Sequence, residues 1–195
     1  VDNDILYLKY LGRAKAMYDA IPAQLNKNAM RYQVGKVIPD ERTVRIINVV
    51  KDMEDSMTTN VAFRSDDPNV GLALTKNLEY FKMYTSDTGL FVTLAFKDGD
   101  ITENVIYEKL LNDKLSANLG YVYENMIAQM LVSNGKDLFY HTIPYADGKK
   151  YYETDFIITE KSDCFRKNFP FCVFHNSFLQ SFRCVPFKNS DRFLK

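Results

Sequence analysis

Residues 137–143 read DLFYHTI and residues 151–158 read YYETDFII, two aromatic and β-branched runs separated by the turn residues Ala146-Asp147-Gly148-Lys149. Such runs pack well on a pleated surface, and an Asp-Gly turn between them tolerates the tight backbone of a β-hairpin. Residues 117–133, just upstream, carry apolar side chains at helical spacing, so a helix is expected to feed the hairpin. In that helix Glu124 has Val122, Met126, Ile127 and Met130 as neighbours, which sets its carboxylate beside the apolar face. Glu153 and Asp155, two apart on the second strand, are expected to share one face. A helix packed on this sheet would gather three carboxylates. Mg²⁺ and Mn²⁺ are hard ions that take oxygen ligands and activate water for phosphodiester cleavage, which makes Glu124, Glu153 and Asp155 candidate metal ligands. The competing reading leaves these acids exposed or paired with lysines such as Lys149 and Lys150.

Working back from the hairpin, FKMY at 81–84 reads as a strand, 88–96 as an apolar run and 103–111 as a helix, so an α/β pattern begins near Phe81. The first 80 residues have a different texture. Ile5, Leu8, Leu11 and Met17 keep near-helical spacing over 4–20, and Ile21-Pro22 is expected to stop that helix, because a residue before proline is pushed out of the α region. A short helix over 23–29 should follow. Pro39-Asp40 then opens a further helix, with Asp40 as its N-cap and Ile46, Ile47, Val50, Met53 and Met57 as its apolar stripe. Residues 61–63 and the Asp66-Asp67-Pro68-Asn69 turn suggest a hairpin edge. Helices followed by a hairpin suggest a winged-helix-like unit whose last helix could enter a DNA groove, with Arg42, Arg45 and Lys51 facing phosphates. Asp52, Glu54 and Asp55 on the same helix would repel DNA, and the plainer reading of the helix is packing.

The composition, 46% apolar and 26% charged, is that of a globular chain, and no apolar stretch approaches the roughly 18 residues needed to cross a bilayer. Without a basic-then-apolar opening, a cytoplasmic protein with no membrane partner is expected. The chain opens on Val1 and runs directly into helical periodicity, so an upstream module is expected. The net charge of zero conceals a basic tail: residues 161–195 hold seven Lys and Arg against two acids. Cys164, Cys172 and Cys184 all lie in that tail and are expected to be reduced thiols. With His175 they make a set of the kind zinc takes, although only Cys172 and His175 have the usual close spacing. Eight of the fourteen phenylalanines also follow Lys161, without clear helical or strand periodicity, a texture expected of a divergent tail or a shifted reading frame.

Four blocks carry a resemblance: Ile21-Pro22-Ala-Gln24-Leu25-Asn-Lys27, then Phe81-Lys-Met-Tyr-Thr-Ser-Asp87-Thr88-Gly89-Leu90, then Gly120-Tyr-Val-Tyr-Glu124-Asn125, and Tyr152-Glu153-Thr-Asp155-Phe156. In this order they resemble the C-terminal region of a family of predicted prokaryotic AAA-type ATPases. The resemblance implies a missing N-terminal ATPase module, a winged-helix-like segment over 1–80, a restriction-endonuclease-like domain core over 81–160 and a divergent tail over 161–195. The fold class implied is α/β (α+β) with a mixed sheet. No G-x-x-x-x-G-K-[ST] occurs, so this chain is not expected to bind ATP. Endonucleases of the related fold use a helix glutamate, a strand aspartate and an E-x-K on the following strand. Glu124 and Asp155 match the first two as catalytic candidates, but residues 165–176 contain no glutamate. Glu160 and Lys161 cannot substitute, since adjacent strand residues point to opposite faces. The expected function is therefore a nucleic-acid-associated accessory region of an AAA-type ATPase, catalytically inactive, with DNA and the ATPase module as partners. The alternatives are a Mg²⁺-dependent nuclease and a platform that docks the ATPase module; the tyrosines and phenylalanines are assigned to core packing.

Overall fold

Proline in the first turn of a helix gives up nothing, because its missing N–H has no intrahelical partner in any helix. Pro22 occupies such a position. The expected break at Ile21-Pro22 is thus a corner between α1 (Asp2–Asp19) and α2 (Ile21–Asn26), closed by the Gln24 N–H donating to the Ala20 carbonyl at 3.0 Å. The short helix expected over 23–29 both starts and ends earlier than its composition suggests. The computed structural model describes residues 2–27, 29–97, 120–144, 151–159, 171–174 and 183–184. The helix expected over 103–111, the turn at 146–149 with Lys149 and Lys150, Cys164 and His175 lie outside the described residues.

Among the described residues the later elements are α3 (Val34–Val37), α4 (Thr43–Asp55), β1 (Thr59–Ser65), β2 (Lys76–Thr85), α5 (Thr88–Phe96), α6 (Gly120–Ser133), β3 (Leu138–Pro144), β4 (Tyr151–Thr159), β5 (Phe171–Phe174) and β6 (Arg183–Cys184). The architecture is α+β. Two compact units divide the chain, Val1–Val61 with Leu78–Met130, and Ala62–Asn77 with Leu131–Lys195. The boundary expected at residue 80 falls inside β2.

In the first unit α1 packs with α2, α3 and α4, and α2 with α5. Met17 of α1 is fully buried, but Leu8 and Leu11, expected on the same apolar stripe, are exposed. α4 differs from its expected form at both ends. Asp40 has φ +65° and does not cap it; Arg42 is the N-cap residue and its side chain makes no cap bond. The buried stripe is Ile46, Val49, Val50 and Met53, the spacing of a helical face. Met57, expected to extend it, lies beyond the helix at φ +55° and is 82% exposed. The Met57 N–H donates to the Glu54 carbonyl at 2.9 Å and the Thr58 N–H to the Met53 carbonyl at 3.0 Å, the two bonds of a Schellman C-cap.

The sheet order is β2-β1-β3-β4-β5-β6. The Thr58 carbonyl accepts from the Ser86 N–H and the Thr75 carbonyl from the Asp66 N–H, so numbers rise along β1 as they fall along β2 and the pair is antiparallel. The hairpin expected around 61–69 exists, but β1 is an interior strand, not an edge. Within the second unit β1 runs parallel to β3, pairing Ala62 with Leu138 and Arg64 with Tyr140. β3 and β4 form the expected hairpin, Thr142 opposite Glu153 and Phe139 opposite Ile157. The tail, read as lacking periodicity, continues the sheet: β5 is antiparallel to β4 and β6 to β5. Phe-Cys-Val-Phe is too short and too uniformly apolar to display either period, which is why it was not legible as a strand.

Candidate functional site

Phe81 to Thr85, the end of β2, are all buried, including the charged Lys82. Alternation along the strand puts Lys82 and Tyr84 on one face, and both reach Glu124 of α6. Lys82 Nζ lies 3.1 Å and the Tyr84 hydroxyl 2.7 Å from Glu124 Oε1. Glu124 is only 5% exposed, as its expected place at the core face requires, but the buried face is Val122, Glu124, Asn125 and Ala128, and Met126 and Met130, expected beside it, are exposed. A carboxylate and an ammonium buried together offset each other's desolvation only through such close geometry.

The residues around this pair extend the lock. The side-chain carbonyl of Asn125, fully buried, accepts from the Thr85 N–H at 2.8 Å, while its amide donates to the Thr85 carbonyl and to Thr88 Oγ1. Gln129 Oε1 accepts from the Thr88 N–H at 2.9 Å and from its hydroxyl at 2.6 Å. Asp87 caps α5, accepting from the Gly89 and Leu90 N–H groups. The sequence blocks around Phe81 and Gly120 are thus physically one feature: β2, the start of α5 and α6 fastened by polar side chains.

Arg42, Arg45 and Lys51, the candidate phosphate contacts, are all exposed, Arg42 at the N-cap of α4 and the other two on the helix. Arg42 borders a cavity. It lines a concavity of about 580 Å³ together with Arg31 and Lys36, two cations that sequence reading did not single out. Glu41 and Glu79 also line it, Glu41 being ion-paired with Arg13. Arg31 stacks over the Tyr80 ring, 4.5 Å from its centroid. No acid occupies the first turn of α4, so the positive end of that helix is not neutralised by its own side chains. The missed signal was the Arg31–Lys36 spacing ahead of the helix, short enough for both to surround its start.

Glu124 belongs to the first unit, Glu153 and Asp155 to the second. Both strand acids are half-buried on β4. The β3–β4 register shifts between Phe139 and His141, so Asp155 and Phe156 together oppose Tyr140 as a β-bulge. A bulge re-aims the side chains it contains, and the simple two-apart rule used for Glu153 and Asp155 does not carry through it. Among the described residues no group of three or more His, Cys, Asp or Glu is gathered to hold a metal ion. The strand after Asp155 is β5, and its residues Phe171-Cys172-Val173-Phe174 contain neither glutamate nor lysine.

Burial raises the phenols of Tyr10, Tyr18, Tyr32 and Tyr121 above their ordinary value. Burial pushes the Tyr32 phenol well above its ordinary value, its hydroxyl donating to the Met17 carbonyl at 2.8 Å. Partial burial and the adjacent Asp52 carboxylate raise Tyr10 to about 12. No helix among the described residues is long and apolar enough to cross a membrane. No family model, curated protein or solved structure matches the chain.

Proposed function

We propose that this chain is the accessory, non-ATPase region of an AAA-type ATPase, nucleic-acid-associated and without cleavage activity, combining a winged-helix-like segment with a degenerate restriction-endonuclease-like domain. The observation that carries the reading is the engagement of Glu124. A nuclease needs that helix carboxylate open to a divalent cation, whereas here an ammonium at 3.1 Å and a hydroxyl at 2.7 Å share one of its oxygens. Such a residue fits a structural pair better than a ligand for Mg²⁺ or Mn²⁺. The absence of glutamate and lysine from β5 points the same way, since E-x-K is the element expected on the strand after Asp155. Contact with nucleic acid is assigned to the phosphate backbone through Arg31, Lys36 and Arg42 around the concavity, with Arg45 and Lys51 as outer contacts. Cations around a helix start whose first turn carries no acid attract phosphate without reading sequence.

The test uses labelled single- and double-stranded DNA in Mn²⁺ or EDTA, comparing the intact chain with Asp155→Ala and with Arg31→Ala/Lys36→Ala/Arg42→Ala. Salt-sensitive retardation without cleavage is expected, equal in Mn²⁺ and EDTA. For duplex DNA the triple variant should flatten the dependence of log affinity on log salt by up to about 3, nearly one unit for each phosphate that is no longer neutralised. Mn²⁺-dependent cleavage that disappears in Asp155→Ala would replace this reading with the nuclease. Neither retardation nor cleavage would favour a platform that docks the ATPase module, for which the exposed Leu6, Tyr7, Leu8 and Leu11 of α1 speak.

A further inference from the structure

Of the three cysteines, expected only to be reduced thiols, Cys172 and Cys184 lie on described strands. β5 and β6 are antiparallel, and their register sets Cys172 directly opposite Cys184, with Val173 opposite Arg183. Directly opposed residues of an antiparallel pair have Cα atoms about 4.5–5.5 Å apart, whichever hydrogen-bonding position they occupy. A disulfide spans Cα separations of about 4.4–6.8 Å. We propose that Cys172 and Cys184 form a redox-responsive dithiol that closes to a cross-strand disulfide and fastens β6, the last strand of the sheet, to β5.

The reaction needs an oxidant of the low-molecular-weight disulfide class. The thiolate of one cysteine attacks glutathione disulfide and releases one glutathione as its thiolate, leaving a mixed disulfide on the protein. The second cysteine, as thiolate, attacks the protein sulfur of that mixed disulfide and expels the second glutathione. Two protein thiols are oxidised, one glutathione disulfide is reduced to two glutathiones, and the two protons pass to the departing glutathione thiolates. The consequence lies at the sheet's edge. β6 has only two residues, and a strand that short holds few ladder bonds, so a covalent tie to β5 decides whether the edge stays closed.

Sequence distance alone predicts a different pairing. Cys164 and Cys172 are 8 apart, Cys172 and Cys184 are 12 apart, and loop-closure entropy in an unstructured chain favours the shorter ring by about two-fold. A preference for the longer ring therefore reports the strand register. Each cysteine falls in its own tryptic peptide: Cys164 in 162–166, Cys172 in 168–183 and Cys184 in 184–188. The full chain, purified reduced and equilibrated with glutathione disulfide and glutathione, is quenched, alkylated and mapped. A linked 168–183/184–188 pair is expected, with an intact mass lower by two hydrogen atoms. The bond should persist in Cys164→Ser and vanish in Cys184→Ser, and in urea the preference should invert toward Cys164–Cys172. A dominant bond to Cys164 under native conditions, three alkylatable thiols in excess glutathione disulfide, or stoichiometric zinc masking the thiols would each overturn the proposal. The wild-type map and Cys164→Ser keep the test valid even where a strand substitution unfolds the tail.

Discussion

Glu124→Gln separates a structural carboxylate from a spare acid awaiting a metal. Glu124 is 5% and Lys82 6% exposed, and Glu124 Oε1 receives both the ammonium at 3.1 Å and the Tyr84 hydroxyl at 2.7 Å. The carboxamide keeps the shape and an acceptor oxygen but removes the carboxylate charge that faces the buried ammonium. Removing one partner of such a pair costs about 3–5 kcal/mol, far more than the pair contributes relative to apolar residues. With a urea dependence of about 2–3 kcal/mol per molar for a chain of this size, the unfolding midpoint should fall by roughly 1–2 M. Tyr84→Phe removes the hydroxyl that donates to the Glu124 carboxylate and should cost about 1.5–3 kcal/mol. The double change Lys82→Met/Glu124→Leu removes both charges and should recover most of the loss, returning to within about 2 kcal/mol of the parent. The assay is urea unfolding followed by far-UV circular dichroism, with one slope shared across the set. If Glu124→Gln matches or exceeds the parent in stability, the carboxylate is not neutralised in the fold. The case for an open metal ligand, and with it an active nuclease, would then be the stronger one.

Three further outcomes follow from the local geometry. Met57→Gly should raise stability by about 1 kcal/mol in the same urea assay, because Met57 holds a left-handed backbone at φ +55° that penalises every Cβ-bearing residue and its side chain is exposed. Asn125→Ala should lower stability by at least about 2 kcal/mol, since it orphans the buried Thr85 N–H and leaves a void, and hydrogen exchange at Thr85 should accelerate with it. The neutral Tyr32 phenol is favoured in the fold, so its contribution is complete below pH 10 and is lost as pH rises from the unfolded value of 10.0 through the raised folded one. Stability should fall by up to about 1.4 kcal/mol per pH unit in that window for this one proton, and urea midpoints measured from pH 9 to 11 should decline less steeply in Tyr32→Phe.

The strands β3 and β4 and the helix α6 were legible from local composition, aromatic and β-branched runs about an Asp-Gly turn and an apolar helical run, but which side chains α6 buries was not, since Met126 and Met130 are exposed while Asn125 and Ala128 are buried. What failed was information that depends on a partner elsewhere. Met57 and Gly135 show the point within one motif. Both stand at the left-handed position of a Schellman cap, Gly135 at φ +70° with its N–H donating to the Val132 carbonyl at 2.8 Å. Glycine announces that position because it alone adopts it freely, whereas a methionine in the same place reads as one more turn of apolar stripe and misleads.

Glu124 and Lys82 show the same limit at the candidate site. The helix pattern located the carboxylate at the core face, and a buried carboxylate admits two explanations, a metal or a cation from the protein itself. The sequence did contain the deciding residue: Lys82 interrupts the apolar run Phe81-Lys82-Met83-Tyr84, and a lysine inside a buried strand has to find an anion. Nothing local says which anion, because the partner lies 42 residues along the chain. Together they form a buried pair, the observation on which the structural role proposed for Glu124 rests. The Glu124→Gln series decides between the proposed structural role and a metal ligand, because the neutral amide is costly only where the carboxylate charge is held against Lys82.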